Sequence, residues 1–312
     1  MITPTETEAP QAVRLDGYQV LSISGDDRLD FLQGQLTQDV MRIDTDHSML
    51  AGWATAKGRL LAVGQLIVTP DALLWPLPAS IVDGVQRRLG MFLLRANAAI
   101  VVTDHSILGL CGLDAEAEVA IGPLQLPAEP GATVHDGDLI ATRLVGDPAR
   151  AVVLGPADAV RELSSDDRFS GADENDWRLQ DIRAGLPTVV AETSEAFVPQ
   201  MLNLDLLDGI SFTKGCYVGQ EIVARTQNLG RIKRRMYGFG QDHPPGLTPG
   251  DTIYGPDNAT GKVVLTARAG EAQELTAVIP IDQSEAAWFA DEAQTSKLTA
   301  LSPPYSIPSP NG

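Results

Sequence analysis

The sequence predicts an α+β fold that ends in a small all-β domain. Over the first two thirds of the chain, short runs rich in Val, Ile and Leu alternate with single amphipathic helices, and tight turns between neighbouring runs indicate antiparallel hairpins. From Met236 onward the pattern changes to short strands separated by Pro and Gly turns, which is typical of a β-barrel or a sandwich. A length of 312 residues is sufficient for two domains.

The N-terminal region predicts a tail, a strand and a helix. Residues 1–15 begin with an acidic, polar stretch, and we expect them to form a flexible tail. The first strand is predicted at 18–23, where β-branched and aromatic residues are concentrated. Asp27 can cap the helix that follows, whose apolar face repeats from Leu29 to Leu36.

Hairpins and single helices continue along the chain, each bounded by turn residues. A tight turn at Lys57-Gly58 joins two of the strands, and one helix ends at Gly185 with Pro187 just beyond it. Further helices are predicted at 80–94 and 173–185, and further strands at 50–56, 60–68, 73–77, 98–102, 107–112, 139–145, 151–154, 236–239, 251–254, 263–267, 275–280 and 297–301.

Composition excludes several classes of function. The net charge of -18 argues against nonspecific binding to nucleic acid or to an anionic membrane, because the overall field repels both. Two cysteines are too few for a disulfide framework and the four histidines are scattered, so we expect a reducing compartment and no resident metal. The N-terminus lacks the features of a secretory signal, and no apolar run is long enough to span a membrane. We therefore expect a cytoplasmic protein without a membrane partner.

One cysteine lies in a sequence that is typical of a reactive thiol. Cys216 is bracketed by Gly215 and Gly219, which allow a tight backbone turn, and it follows Lys214, whose ammonium can favour a thiolate if it points toward the sulfur. The alternative is that Cys216 is a small buried hydrophobic residue, as many free cysteines are. The polar neighbours of Cys216 favour the first interpretation.

The residues after Cys216 predict a helix. Gln220 and Glu221 are good helix formers, Glu221 suits the first turn, and Gly230 is a plausible end. Cys216 would then precede a helix N-terminus, where the helix dipole also lowers the pKa of a thiol.

A basic cluster follows this helix in an otherwise acidic chain. No acidic residue occurs between Ile222 and Gln241. The cluster predicts either a solvated basic linker or a site for an anion, such as a carboxylate, a phosphate or a nucleic-acid backbone. Its members are Arg225, Arg231, Lys233, Arg234 and Arg235.

The segment from Lys214 to Arg225, Lys-Gly-Cys-Tyr-Val-Gly-Gln-Glu-Ile-Val-Ala-Arg, resembles the YgfZ-type folate-binding family, which is related to the aminomethyltransferase (T-protein) of glycine cleavage. The resemblance implies α+β subdomains arranged in a ring, followed by a C-terminal β-barrel. It places a folate-binding region of two α+β subdomains at 16–231 and the barrel at 232–312. Further segments that agree with the family are 31–39, 56–59, 184–187, 197–203 and 303–305.

The resemblance also implies a function. Members of the family bind tetrahydrofolate and support the assembly or repair of iron–sulfur clusters in client enzymes, including radical enzymes that thiolate tRNA. It makes folate and iron–sulfur client or assembly proteins the expected partners, and nucleic acid is not expected as a direct ligand. By the same resemblance, Cys216 is the functional cysteine with Lys214 as its neighbour, and Gly215, Tyr217, Gly219, Gln220 and Glu221 support the motif.

Four residues are expected to contact the folate. By the resemblance, Tyr18 and Trp177 flank the pterin, which favours offset stacking on aromatic rings. Arg225 can meet the glutamate tail of the folate, and Arg183 occupies the position of a T-protein glutamate that recognises the pterin. The alternative is that Trp177 lies on an amphipathic helix and faces the core of the protein.

Two departures from the T-protein pattern argue against amine transfer. The T-protein has an Asp in the strand after its hairpin turn, whereas residues 57–70 contain no carboxylate, and Arg183 replaces the glutamate. Transfer chemistry needs a positioned acid–base group. A tetrahydrofolate-dependent aminomethyl or one-carbon transferase is therefore the second hypothesis, and a tRNA-binding module that uses residues 231–235 is the third.

Overall fold

The computed structural model describes residues 10–146, 149–228, 232–242 and 246–308. The strands are β1 (Gln11–Arg14), β2 (Tyr18–Ser24), β3 (Met49–Ala54), β4 (Leu60–Val68), β5 (Ala72–Pro78), β6 (Ala99–Val102), β7 (Ser106–Leu113), β8 (Val119–Ile121), β9 (Leu124–Leu126), β10 (Thr133–Asp136), β11 (Leu139–Leu144), β12 (Ala149–Gly155), β13 (Ser170–Ala172), β14 (Arg234–Gln241), β15 (Thr252–Tyr254), β16 (Thr260–Ala269), β17 (Ala272–Pro280), β18 (Trp288–Phe289) and β19 (Lys297–Ala300). The α-helices are α1 (Arg28–Gln33), α2 (Ala79–Gly90), α3 (Ala157–Ser164), α4 (Glu174–Arg183) and α5 (Gln220–Asn228).

Five antiparallel strands form the first sheet, in the order β3-β4-β5-β2-β6. The α2 helix packs against this sheet because its apolar face, which includes Ile81 and Leu89, joins a core that contains Trp75. The predicted hairpin is confirmed, since β3 pairs with β4. In its turn, Gly58 has a φ of +68°, a left-handed conformation that glycine adopts without steric cost.

The second sheet has the order β10-β11-β12-β7-β1-β13, and all its strand pairs are antiparallel except β1 with β13. One apolar cluster joins the two sheets. It brings Val20 and Leu74 of the first sheet together with Ile107 and Val152 of the second, and Trp177 of α4 completes it. The two sheets therefore share a core, and α4 lies at their junction.

The predicted N-terminal tail is wrong for residues 11–14, which form β1 inside the second sheet. Ala12, Val13 and Leu15 are buried, so this short apolar run contributes to the core although the residues before it are polar. Residues 1–9 lie outside the described part of the chain.

The C-terminal strands close into a six-stranded barrel in the order β14-β17-β16-β15-β18-β19, with β14 paired to β19. The barrel, one of the two predicted alternatives, is therefore the observed architecture. Leu179 and Ile182 of α4 pack on Leu265 and Ala267 of the barrel, which joins it to the sheets. The predicted domain boundary at 231/232 and the helix end at Gly230 involve residues 229–231, which lie outside the described residues.

Two helices are shorter than predicted. The α1 helix ends at Gln33, and Leu36 instead forms an isolated bridge with Trp53. The α2 helix ends at Gly90, and Leu94 beyond it is exposed with a φ of 43°. Within the described ranges, no helix has the length and apolar character that crossing a bilayer requires.

Candidate functional site

Cys216 is exposed on a loop that leads into α5, and backbone hydrogen bonds fix this loop to a distant segment. The amide of Val218 donates to the carbonyl of Gly34 over 3.1 Å, and the amide of Ser211 donates to the carbonyl of Thr37 over 2.9 Å. The hydroxyl of Thr37 donates to the carbonyl of Gly209 over 2.6 Å. Two segments that resemble the family, 31–39 and 214–225, therefore form one structural unit.

Lys214 is buried beneath this loop. Its Nζ donates to the carbonyl oxygens of Leu36 and Gln38 over 2.9 and 2.7 Å, and it lies 5.1 Å from the centroid of the Tyr217 ring. Burial lowers the pKa of Lys214 to about 8 and raises the pKa of Tyr217 to about 12. The ammonium therefore anchors the loop through carbonyl groups. The sequence suggested that this ammonium could favour a thiolate at Cys216, whereas in the structure its partners are the two carbonyl oxygens.

The β3–β4 hairpin turn forms the other support of the Cys216 loop. A Cβ at Gly219, which has a φ of +84°, would lie 2.5 Å from the carbonyl oxygen of Thr55. A Cβ at Gly58 would lie 2.8 Å from the Cβ of Ile222. Only glycine allows this close approach, whereas Gly215 has open space around it and no left-handed φ. The turn role predicted for the two flanking glycines therefore holds for Gly219 alone.

The helix after the loop is α5, as predicted. Gln220 begins it, and its side-chain Nε2 donates to the carbonyl oxygen of Gly215 over 3.4 Å. Glu221 and Arg225 are exposed on the helix, with Glu221 in the first turn. Cys216 therefore occupies a solvent-facing position on a loop that three chain segments hold in place.

A cavity of about 840 Å³, including its open mouth, lies between the two sheets. Tyr18 and Trp177 both line it, so the structure brings together the two aromatic residues that the sequence predicted to flank a pterin. Most of the other lining side chains are apolar and come from both sheets, among them Val63, Ile67 and Val152. The cavity therefore suits a flat, largely apolar group.

Asp181 is the one acidic or basic residue among the described residues that line this cavity. It follows Trp177 by four residues, so both side chains lie on one face of α4. The Nη1 of Arg150 donates to Asp181 Oδ1 over 2.6 Å, and the Arg150 guanidinium lies 4.9 Å from the centroid of the Trp177 ring. Burial raises the pKa of the Asp181 carboxyl, and Arg150 opposes that rise. Burial also raises the pKa of the Tyr18 phenol.

Asp181 is not among the residues predicted from the sequence, because the T-protein glutamate corresponds to position 183 of this chain. The i, i+4 spacing from Trp177 to Asp181 was the available signal. Arg183 itself does not line the cavity. Its Nε and Nη2 form a bidentate ion pair with Glu274 of β17, over 3.0 and 2.7 Å. Arg225 also lies outside the cavity lining, so the four predicted folate contacts are not brought together.

The basic cluster does not form one continuous surface. Arg235 is buried, and its two terminal nitrogens donate to the carboxylate of Asp205 over 2.9 and 2.7 Å. Arg234 donates to the carbonyl of Thr260, and Lys233 is exposed. Arg231 lies outside the described residues. Within the ranges that the structure describes, no group of three or more His, Cys, Asp or Glu side chains is placed to hold a metal ion.

The burial of Lys214 predicts a pH-dependent stability. Its pKa is about 8 in the folded protein and 10.5 for an ordinary lysine, so between these values the unfolded chain holds a proton that the folded chain has released. The free energy of unfolding should therefore rise with pH, by up to about 1.4 kcal/mol per pH unit. In urea titrations from about pH 7.5 to about pH 9.5, the wild type should gain stability relative to Lys214→Met.

Lys57→Met provides a matched control, because Lys57 is exposed in the neighbouring hairpin turn. The difference in the free energy of unfolding between Lys57→Met and the wild type should stay constant over the same pH range. A constant difference for Lys214→Met would show that the lysine titrates normally.

Known proteins resemble this chain along most of its length, although no protein-family model matches it. The tRNA-modifying protein YgfZ of Serratia proteamaculans is 30% identical over 306 residues, which cover 95% of this chain and 92% of that protein. The tRNA-modifying protein YgfZ of Colwellia psychrerythraea is 31% identical over 237 residues, which cover 75% and 73%. The crystal structure of the glycine cleavage system aminomethyltransferase T from Bartonella henselae matches with a TM-score of 0.73 at 13% identity, over 94% of this chain and 85% of that chain. The structural match confirms the predicted T-protein-like fold, and the sequence matches show that this chain belongs to the family of YgfZ tRNA-modifying proteins.

Proposed function

We propose that this protein is a cytoplasmic, tetrahydrofolate-binding accessory protein that supports the assembly or repair of iron–sulfur clusters. Its clients would include enzymes that modify tRNA, in keeping with the names of its relatives. The observation that carries this proposal is the cavity between the two sheets, where Tyr18, Trp177 and Asp181 converge.

The chemistry of this cavity fits a reduced folate. A pterin is a flat bicyclic ring that gains from stacking on Trp177 and Tyr18. Its amide and amino N–H groups can donate hydrogen bonds to the Asp181 carboxylate. No cationic side chain lines the cavity among the described residues, so the anionic glutamate tail of a folate would remain at the mouth. A contact from Arg225 to that tail, and a contact from Arg183 to the folate, stay predictions.

Cys216 is the group through which the protein would act on its clients. Its thiol is exposed, while Lys214 and Gly219 hold its loop against neighbouring segments. An exposed thiol on a well-anchored loop can reach a second protein without local unfolding. Gly215, Tyr217, Gln220 and Glu221 belong to the same loop and the first turn of α5, and we assign them a supporting role.

Aminomethyl or one-carbon transfer is the enzymatic alternative. It would require a further group that acts on the folate nitrogen. The one carboxylate lining the cavity in the described part of the chain, Asp181, is the group assigned above to the N–H groups of the pterin, so no second carboxylate of the described lining is left for that role. Formation of methylenetetrahydrofolate by the purified protein would favour this alternative. A tRNA-binding module is a weaker alternative, because Arg235 of the basic cluster is buried in an ion pair.

Replacing Trp177 by Leu should weaken tetrahydrofolate binding, measured by isothermal titration calorimetry, by at least about tenfold, because stacking on the ring is lost. Trp177→Phe, which keeps an aromatic face, should lose less affinity for tetrahydrofolate than Trp177→Leu. Trp288→Phe is the matched control, since Trp288 is a buried tryptophan in the core of the barrel. The proposal fails if the wild type does not bind tetrahydrofolate or if Trp177→Leu binds it with unchanged affinity.

A further inference from the structure

An open groove of about 970 Å³ runs between α2 and residues 191–195. Its exposed lining residues on α2 and at the C-cap that follows include Ser80, Gly84, Arg87 and Met91, spaced so that they fall on one stripe about 16 Å long. Its opposite wall includes Glu195. Because the stripe begins with a serine and a glycine, the groove has space for side chains of another molecule.

The floor of the groove is apolar and one end is basic. The floor includes Trp53, Leu61 and Val85. At the C-terminal end of α2, residues 87–95 contain three arginines and no acidic residue, in a chain whose net charge is -18. Of these, Arg87 and Arg88 line the groove, and Arg88 is paired with Glu195 of the opposite wall, so Arg87 supplies the positive charge at this end.

Apolar side chains point to solvent at the same end. Met91, Phe92 and Leu94 are exposed to 66%, 41% and 92%. Leu94 also has a φ of 43°, which is unfavourable for a leucine by about 1–2 kcal/mol. Single exposed apolar residues are common on protein surfaces, but three within four positions, one of them in a strained backbone, are typical of a surface that contacts a partner.

The groove lies on the other side of the hairpin that supports the Cys216 loop. Trp53 and Leu61, from the floor, belong to β3 and β4, and the turn between these strands contains Gly58. Gly58 packs on Ile222 in the first turn of α5, and Cys216 lies just before that helix. The groove and the Cys216 loop therefore contact the same hairpin.

We propose that this groove docks an acidic, amphipathic segment of the client protein, with apolar side chains on the floor and an acidic side chain on Arg87. This inference rests on the proposed accessory function and names the surface that recruits the client. A protein segment fits better than a nucleic acid, because the lining is largely apolar and a nucleic acid needs several cationic side chains for its phosphates. Arg88 is already paired with Glu195 over 2.6 Å, so Arg87 is the arginine of the lining that remains to meet an acidic side chain.

The first test uses the full-length protein and a fluorescein-labelled peptide of about 18 residues, with Leu on one helical face and Glu on the other. Fluorescence anisotropy should show saturable binding, weakened at least about tenfold by the double substitution Arg87→Glu and Met91→Glu. Both side chains are exposed, so folding should be preserved. Arg161→Glu on α3, another exposed arginine, should bind the peptide like the wild type.

The outcomes separate the proposal from its alternatives. A peptide with Lys in place of Glu should bind at least about tenfold more weakly, because the basic end repels it. Equal binding of the two peptides, or no saturable binding of the acidic one, would overturn the proposal. Binding of tRNA in preference to the peptide, with a steep loss of affinity on adding salt, would assign the surface to nucleic acid instead.

A second test separates this inference from the proposed function. In a deletion strain, the Arg87→Glu and Met91→Glu double variant should lower the activity of a cluster-dependent client several-fold, while tetrahydrofolate binding by the purified variant stays unchanged. If the wild type itself neither binds tetrahydrofolate nor restores the client, the proposed function fails. If the wild type does both and the groove variant restores the client fully, only the docking inference fails.

Discussion

Replacing Cys216 by Ala should reduce the activity of cluster-dependent client enzymes to the level of a deletion strain, while the free energy of unfolding changes by less than about 0.5 kcal/mol. The two effects separate because the Cys216 side chain is exposed and its loop is held by other residues. The first effect is measured by complementation under oxidative stress, with the activity of one cluster-dependent enzyme as the readout. The second is measured by urea unfolding of the purified variant.

Cys111 supplies the matched control for this substitution. It is buried, and burial raises the pKa of its thiol to about 12, so it is expected to be chemically inert. Cys111→Ala should therefore cost stability, on the order of 1–2 kcal/mol, without removing client support. Iodoacetamide should modify Cys216 in the native protein and Cys111 only after unfolding. Full complementation by Cys216→Ala would exclude a chemical role for the thiol.

The parts of the fold that could be predicted from the sequence are those with a strong local pattern. The β3–β4 hairpin has a glycine in its turn, α2 has apolar residues at helical spacing, and α4 begins after a capping residue, Asp173. The β1 strand was missed because its four residues gain their stability from pairing with the distant strands β7 and β13. The short strands β8, β9, β10, β13 and β18 and the helix α3 went unpredicted, since segments of this length carry little periodic signal.

The residues of the candidate site also fall into those that local sequence predicts and those that it does not. Cys216 and the start of α5 could be located from glycine spacing and helix propensity, both local properties. The burial of Lys214 could not, because its hydrogen-bond acceptors lie about 180 residues earlier in the chain, at Leu36 and Gln38. Asp181 has a local signal, its i, i+4 spacing from Trp177, but its ion pair could not be predicted. That pair depends on the buried side chain of Arg150 in β12, which only the folded chain brings next to α4.

Breaking the ion pair between Asp181 and Arg150 should have the largest effect on stability. Both side chains are buried, and Asp181 supplies the counter-charge for the Arg150 guanidinium across 2.6 Å. Asp181→Ala leaves that cation in the interior without compensation, and we expect the free energy of unfolding to fall by about 3–5 kcal/mol. Urea unfolding of the wild type and the variant at neutral pH measures this difference directly.

The ion pair between Asp205 and Arg235 offers a control of matched burial, away from the cavity. Asp205→Ala should destabilise the protein to a similar degree, for the same physical reason, yet the folded fraction should bind tetrahydrofolate with wild-type affinity. Asp181→Ala should lower both stability and affinity, because its carboxylate also faces the cavity. Equal loss of affinity in both variants would mean that general destabilisation, and not a lost contact, explains the effect.

A double substitution can separate the two roles of Asp181. Replacing Asp181 by Leu and Arg150 by Met removes both charges and fills their space with apolar side chains, so much of the lost stability should return. Tetrahydrofolate affinity should remain at least about tenfold below that of the wild type, because no acceptor is left for the N–H groups of the pterin. If the double variant instead binds tetrahydrofolate as tightly as the wild type, the Asp181 carboxylate serves only to neutralise Arg150. Recognition of the pterin would then rest on stacking against Trp177 and Tyr18.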